Sequence, residues 1–179
     1  MSEARLKAQN FSAPKVLTEG DSTESFSCGE AELDRFLHGS ALNRQKAMLS
    51  RTYVVTVGNE IAGYYTLAHV QLQASAMPTK MSRGMPSSIP AILMARLAVD
   101  ERFQKRGLGE SLFADALMRT WSVVEQGAAP VRFFLVDAKH EKAKAYYLRF
   151  GMKPFGDDSL RLYLSYKQIQ LALQAETKE

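Results

Sequence analysis

Gln104-Lys105-Arg106-Gly107-Leu108-Gly109-Glu110 decides how the chain folds around it. Upstream lies the apolar run Ile92-Leu93-Met94-Ala95-Arg96-Leu97-Ala98-Val99, which reads as a buried strand. Downstream, Leu108, Leu112, Phe113, Ala116, Leu117 and Trp121 fall at helical spacing and predict an amphipathic helix. The two glycines carry no Cβ, so a ligand can approach the backbone, and N–H groups at a helix start lack intrahelical acceptors. With the positive end of the helix dipole, those donors suit a phosphate or pyrophosphate. A hydrogen bond to a charged group contributes roughly 1.5–3 kcal/mol and the dipole only about 0.3–1 kcal/mol. The fixed amides therefore matter more than the dipole, and Lys105 and Arg106 add long-range attraction. The same glycines also fit a plain turn ahead of a core helix. The stretch is neither a dinucleotide fingerprint, since Leu112 occupies the third glycine's place, nor a P-loop, since no Gly-Lys pair occurs.

Further along, 131–136 reads as a second apolar strand and 141–150 as a second helix, stopped by Gly151. Leu160, Leu162, Leu164 and Tyr166 alternate with Arg161, Tyr163 and Ser165 as a final strand does. Towards the N-terminus, Ser27-Cys28-Gly29-Glu30 fits a capping box, predicting a helix from about Cys28 that carries Leu33, Phe36 and Leu37. A second helical stretch covers 40–49. The β-rich runs 52–57 and 61–67 flank the turn pair Gly58-Asn59 and predict a hairpin. Residues 74–90, with Pro78, Pro86, Pro90, Gly84 and three methionines, read as a long loop. The order predicts an α/β fold with a mixed sheet. The expected organisation is a flexible lead over 1–21 with one strand near Val16-Leu17, a domain over 22–167, and a polar tail over 168–179.

Composition sets outer limits. A chain of 179 residues, 46% hydrophobic and 23% charged, suits one globular domain and excludes wholesale disorder. Its single Cys excludes an internal disulfide and a Cys-based zinc site, so no metal is expected. The polar N-terminus shows no signal-peptide core, and the longest apolar stretch, 89–99, is interrupted by Pro90 and Arg96. A cytoplasmic protein with no membrane partner is therefore expected. The net charge of +4 permits a polyanionic partner.

Ala143-Lys144-Ala145-Tyr146-Tyr147-Leu148-Arg149-Phe150-Gly151-Met152 places Ala143 and Tyr147 on one helix face. Alone, Tyr147 reads as a half-buried core residue. Paired with the 104–110 stretch, however, it resembles the GNAT acyl-CoA N-acyltransferase superfamily. The acyl-CoA motif of that family is matched by Gln104, Gly107 and Gly109, and its later motif by Ala143, Tyr147 and Gly151, with Met152 for the usual Phe. The resemblance implies the GNAT fold, a mixed twisted sheet with splayed central strands flanked by helices, and acetyl-CoA as co-substrate. It implies that Leu97, Ala98, Val99, Gln104, Lys105, Arg106, Gly107, Leu108, Gly109 and Glu110 hold acetyl-CoA, with Tyr147 as catalytic acid.

A narrower resemblance extends over most of the chain. Phe26-Ser27-Cys28-Gly29 with Leu33-Asp34 and Leu37, Gly63-Tyr64-Tyr65-Thr66-Leu67, and Ala95-Arg96-Leu97-Ala98-Val99-Asp100 are similar to the GNAT toxins of type II toxin–antitoxin modules. Phe36 stands where many members have Trp. The resemblance implies acetylation of the amino acid on aminoacyl-tRNA, arrest of translation, a homodimer, and neutralisation by a ribbon-helix-helix antitoxin.

The chemistry is compatible with that acceptor. An α-amino group titrates near 7.7–8.0, so a neutral fraction exists at pH 7 and no strong protein base is needed. None is evident: His38, His69 and His140 are scattered, and only His140 lies near the Tyr147 helix. A tyrosine, with ordinary pKa near 10, can donate to the departing sulfur. Arg44, Lys46, Lys80, Arg83, Arg96, Lys142 and Arg149 are candidates for an RNA phosphate track, although no RNA-binding module signature is present. A GNAT acting on a small-molecule or protein amine, and a non-catalytic acyl-CoA-binding regulator, are the competing expectations.

Overall fold

The structure, a computed structural model, describes residues 10–176. In chain order the elements are β1 (Lys15–Val16), α1 (Ala31–Gly39), α2 (Ala41–Lys46), β2 (Arg51–Val57), β3 (Glu60–Gln73), α3 (Thr79–Ser82) and β4 (Ser88–Val99). They continue as α4 (Leu108–Glu125), β5 (Phe133–Asp137), α5 (Glu141–Leu148), β6 (Lys153–Pro154), β7 (Arg161–Ser165) and α6 (Tyr166–Glu176). The strands form a mixed sheet in the order β1-β2-β3-β4-β5-β7-β6. The β4–β5 pair is parallel; β1–β2, β2–β3, β5–β7 and β6–β7 are antiparallel. The chain divides into two compact units, Met1–Ala68 with Ala95–Ala116, and His69–Met94 with Leu117–Glu179.

The first unit is built on the β2–β3 hairpin, whose turn uses Gly58 at φ +57° as the Gly58-Asn59 pair predicts. Its core gathers Leu17, Phe26, Phe36, Leu37, Val54, Ile61, Tyr64 and Ala98. Tyr64 sits between Phe36 (centroids 6.2 Å apart) and Phe26 (5.5 Å), and its buried hydroxyl donates to the Leu33 carbonyl at 2.9 Å. The expected capping box does not form. The helix starts at Ala31 with Glu30 at the N-cap making no side-chain cap bond. Gly29 turns the chain at φ +87°, and Asp34, not Glu30, takes the donors: the Ser27 hydroxyl at 3.2 Å and the Cys28 N–H at 2.9 Å.

Within the stretch expected as a lead, the strand expected near Val16-Leu17 forms at Lys15–Val16. Lys15–Val16 pairs with Val54 and Tyr53, Ser12 N–H donates to the Thr56 carbonyl at 2.8 Å, and Phe11 and Leu17 are buried. Residues 11–17 thus run along the β2 edge, while 1–9 lie outside the described residues.

The second unit packs Leu72, Met77, Ile89, Ala91, Phe133, Leu135 and Phe155 together. The stretch expected as a loop is closed by Ala74 N–H donating to the Ser87 carbonyl at 2.9 Å, and buried Met77 places one of its methionines in the core. Of the tail expected from 168, the residues up to Glu176 are helical. Ser165-Tyr166-Lys167-Gln168 forms a real capping box, with the Gln168 Oε1 accepting from Ser165 N–H (2.9 Å) and Oγ (2.8 Å), and Ile169 is buried behind it. Among the described residues no helix is long and apolar enough to cross a membrane.

Candidate active site

β4 pairs with β5 from Ala91↔Phe133 to Met94↔Val136 and then runs on to Val99 beyond that ladder. At its end Asp100, 1% exposed, donates its N–H to the Ala62 carbonyl at 2.9 Å. Its carboxylate accepts from Ser27 N–H (3.1 Å), Arg102 N–H (3.0 Å), Arg102 Nε (2.8 Å) and Arg102 Nη2 (3.1 Å). Burial works to raise the Asp100 pKa, but the hydrogen bonds from Arg102 and Ser27 outweigh it and hold the carboxyl below its ordinary value.

A short 3-10 turn, Glu101–Phe103, leads into the glycine loop. Lys105 at φ +59° and Gly107 at φ +81° reverse the backbone so that α4 starts at Leu108. The first bond of the helix is Ser111 N–H to the Gly107 carbonyl, 3.2 Å, so the helix itself does not use the N–H groups of Leu108 and Gly109. Gln104 Nε2 donates to the Val99 carbonyl at 2.9 Å and the Cys28 carbonyl at 3.0 Å; its amide shapes the loop. Lys105, Arg106 and Glu110 are exposed, while Leu108 and Leu112 anchor the helix start in the core. Leu97 and Val99 are half-buried and Ala98 buried.

Gly63 on β3 makes this packing feasible. A Cβ there would lie 2.8 Å from Leu112 Cδ1, 3.2 Å from Leu108 Cδ2 and 3.2 Å from the Ala98 carbonyl oxygen. The helix start, the strand end and the hairpin meet over a missing side chain. Gly63 and Asp100 both stand in stretches quoted for the toxin resemblance, yet neither acquires a role from sequence alone, because their partners are distant along the chain.

In the second unit, α5 carries Tyr147, 9% exposed. Burial raises its hydroxyl pKa above the ordinary tyrosine value, with Tyr146 adding to the effect, so the group keeps its proton at neutral pH. Tyr146 packs edge-on against Tyr147 (5.3 Å) and Phe150 (5.1 Å). His140 is the N-cap of α5, its Nδ1 accepting from Ala143 N–H at 3.1 Å, which makes it a helix cap. Gly151 follows at φ +77°, the expected helix stop.

Residues 49–154 match the acetyltransferase (GNAT) domain family. The chain belongs to the GNAT acetyltransferases. It is 36% identical over 157 residues to the tRNA-acetylating toxin of Mycobacterium tuberculosis (strain ATCC 25618 / H37Rv), covering 88% of this chain and 93% of that protein. It is similar in structure to a tyrosine-to-phenylalanine mutant of KacT, with a TM-score of 0.83 and 26% identity over 91% of this chain and 99% of that one. AtaT complexed with acetyl-methionyl-tRNAfMet matches with a TM-score of 0.78 and 28% identity, covering 90% and 98% of the two chains. A tyrosine-to-phenylalanine mutant of AtaT bound to acetyl-CoA and to the C-terminus of the antitoxin AtaR also matches (TM-score 0.77, 27% identity, 90% and 97% coverage).

The basic residues of this GNAT protein divide between the two units. In the first, Arg44 is exposed on α2, Lys46 is ion-paired with Glu19, and Arg96 lies over the Phe36 ring at 3.7 Å from its centroid. In the second, Lys80, Arg83 and Lys142 are exposed, and Arg149 lies 5.1 Å from the Tyr146 ring centroid. Lys144 is buried and donates to the Asp157 carbonyl at 2.7 Å, which removes it from any basic face.

Proposed function

We propose that this GNAT acetyltransferase transfers the acetyl group of acetyl-CoA to the α-amino group of an aminoacyl-tRNA, as the toxin of a toxin–antitoxin pair. The likeness to a tRNA-acetylating toxin and to AtaT with its acetylated tRNA, its acetyl-CoA and its antitoxin supports this. The carrying observation in the chain itself is the loop that delivers α4: Lys105 and Gly107 turned to positive φ, Gln104 bound to two carbonyls, and the helix's own bonds beginning only at Ser111. Such a helix start suits a pyrophosphate by both hydrogen bonding and dipole.

Acetyl-CoA supplies an acetyl thioester. In the proposed mechanism the N–H groups of Leu97, Ala98 and Val99 hold the acyl carbonyl and pantetheine arm, and the 104–110 stretch holds the pyrophosphate with Lys105 and Arg106 alongside. The neutral amine forms the new C–N bond, its excess proton leaves to water, and the C–S bond breaks. Tyr147 gives its proton to the leaving sulfur. A tyrosine hydroxyl is a weaker acid than a thiol, whose ordinary pKa is about 8.5. Full transfer to a free thiolate is therefore uphill, so the hydroxyl acts chiefly by hydrogen-bonding the charge that builds on sulfur as the C–S bond breaks. The proton it gives up is returned through water from the one the amine released.

Arg44, Lys46, Lys80, Arg83, Arg96, Lys142 and Arg149 are proposed as tRNA phosphate contacts. The Lys46–Glu19 pair is exposed on both sides, so a phosphate can replace the carboxylate. A homodimer, a ribbon-helix-helix antitoxin and a cytoplasmic site of action complete the proposal. Cell-free translation tests it: synthesis stops when protein and acetyl-CoA are both added and continues when either is omitted. Arrest without acetyl-CoA contradicts it.

A further inference from the structure

We propose that the Ser27-Cys28-Gly29 turn is a brace that sets the position of the cofactor loop, and that Asp34 on α1 is the positioning residue that fixes the brace. This rests on reading the 104–109 loop as the pyrophosphate site.

The turn holds the loop at several points. Ser27 donates its N–H to the Asp100 carboxylate at 3.1 Å and accepts Glu101 N–H on its carbonyl at 2.9 Å. The Cys28 carbonyl accepts from Gln104 Nε2 at 3.0 Å, and that same amide holds Val99. At Gly29 a Cβ would fall 2.9 Å from Glu101 Oε1, so the turn and the loop are in close contact there. Each contact joins residues about seventy positions apart, and the Asp100 carboxylate among them is buried. These contacts add to the bonds the loop makes within itself, Arg102 to Asp100 and Gln104 to Val99, and tie it to a second segment of chain.

The turn is in turn fixed from behind. Asp34 accepts Cys28 N–H on one carboxylate oxygen (2.9 Å) and the Ser27 hydroxyl on the other (3.2 Å). One carboxylate therefore orients two consecutive residues whose carbonyls accept from the loop. An anion site built from amides depends on their direction, because hydrogen bonds weaken steeply once misaligned. Removing the Asp34 carboxylate leaves every loop residue in place and loosens only what aims them.

Hydrogen exchange and calorimetric titration with acetyl-CoA, on the full chain, test this with Asp34→Ala, Asp34→Asn and the neighbouring exposed Arg35→Ala. In Asp34→Ala, amide exchange over 101–109 accelerates at least tenfold without acetyl-CoA, and the Kd for acetyl-CoA rises about tenfold. Asp34→Asn, which keeps one acceptor oxygen, restores most of both, and Arg35→Ala changes neither. Unchanged exchange over 101–109 in Asp34→Ala overturns the brace. Faster exchange with unchanged acetyl-CoA affinity overturns its role in cofactor binding. Wild-type protein that fails to bind acetyl-CoA overturns the reading of the loop, a result separate from the exchange measurement.

Discussion

Replacing Gly63 by Ala adds one methyl group where β3, the end of β4 and the start of α4 converge. The new Cβ would stand 2.8 Å from Leu112 Cδ1, about 0.7 Å inside the roughly 3.5 Å optimum for carbon pairs, and 3.2 Å from the Ala98 carbonyl oxygen. Leu112 and Leu108 are buried (0% and 1% exposed), so neither side chain has free space to swing into and the first turn of α4 must lift. Overpacking of this kind costs about 1–3 kcal/mol, offset by about 0.5–1 kcal/mol because alanine is better than glycine in a strand. A net loss of up to about 2.5 kcal/mol lowers Tm by up to about 10 °C for a chain of this size. Lifting the turn also moves the Leu108 and Gly109 amides, so acetyl-CoA affinity falls about tenfold, equal to about 1.4 kcal/mol. Calorimetric melting and titration with acetyl-CoA read both effects. Gly58→Ala separates them: its φ of +57° makes alanine cost about 1–2 kcal/mol, yet its Cβ meets nothing within 4 Å. It should melt earlier and bind acetyl-CoA normally. Gly63→Ala with unchanged affinity would refute the claim that this glycine positions the helix start.

Tyr147→Phe keeps the ring in its buried place and should retain acetyl-CoA binding while the transfer rate falls about 10²–10⁴-fold in single-turnover assays; near-normal transfer removes Tyr147 as the acid. Asp34 and Asp100 both have pKa values held below the ordinary carboxylate value, in each case because hydrogen bonds outweigh burial. Their contribution to stability is fully present above the unfolded value of about 3.9 and is lost as pH falls through the folded values. Asp34→Asn should therefore flatten the acid limb of a Tm-against-pH curve, and an unchanged limb argues against the ion's role. Burial and the neighbouring Asp34 push the Cys28 thiol up to about 12. Alkylation at pH 8 should then run about a thousandfold slower than for a free cysteine, and a fast reaction would mean the 27–29 turn opens readily.

Local patterns carry most of what the sequence makes legible. The glycine loop and the helix after it are legible because glycine conformation and apolar spacing are properties of neighbouring residues. Capping is legible only where nothing competes. Ser27 and Glu30 have the pattern, but Gly29 and Asp34 divert it, whereas Ser165 and Gln168 have it and use it. Residues 74–90 look irregular because the bond that closes them joins Ala74 to Ser87 and their burial depends on partners from other elements. The part of the site that no periodicity reveals is its support. Asp100 is held by Ser27, Gln104 spans to Cys28, and Gly63 makes room for Leu112, all by contacts between distant positions. A charge count says nothing of burial: Lys144 lies inside, its ammonium donating to a backbone carbonyl.

Labelled acetyl-CoA, incubated with the protein and with matched pools of aminoacylated and deacylated tRNA, tests the central claim most directly. Mass spectrometry of the nucleoside carrying the amino acid should find the label on the α-nitrogen of aminoacyl-tRNA and none on the deacylated pool. Label on free amines or proteins with none on any aminoacyl-tRNA would contradict the account.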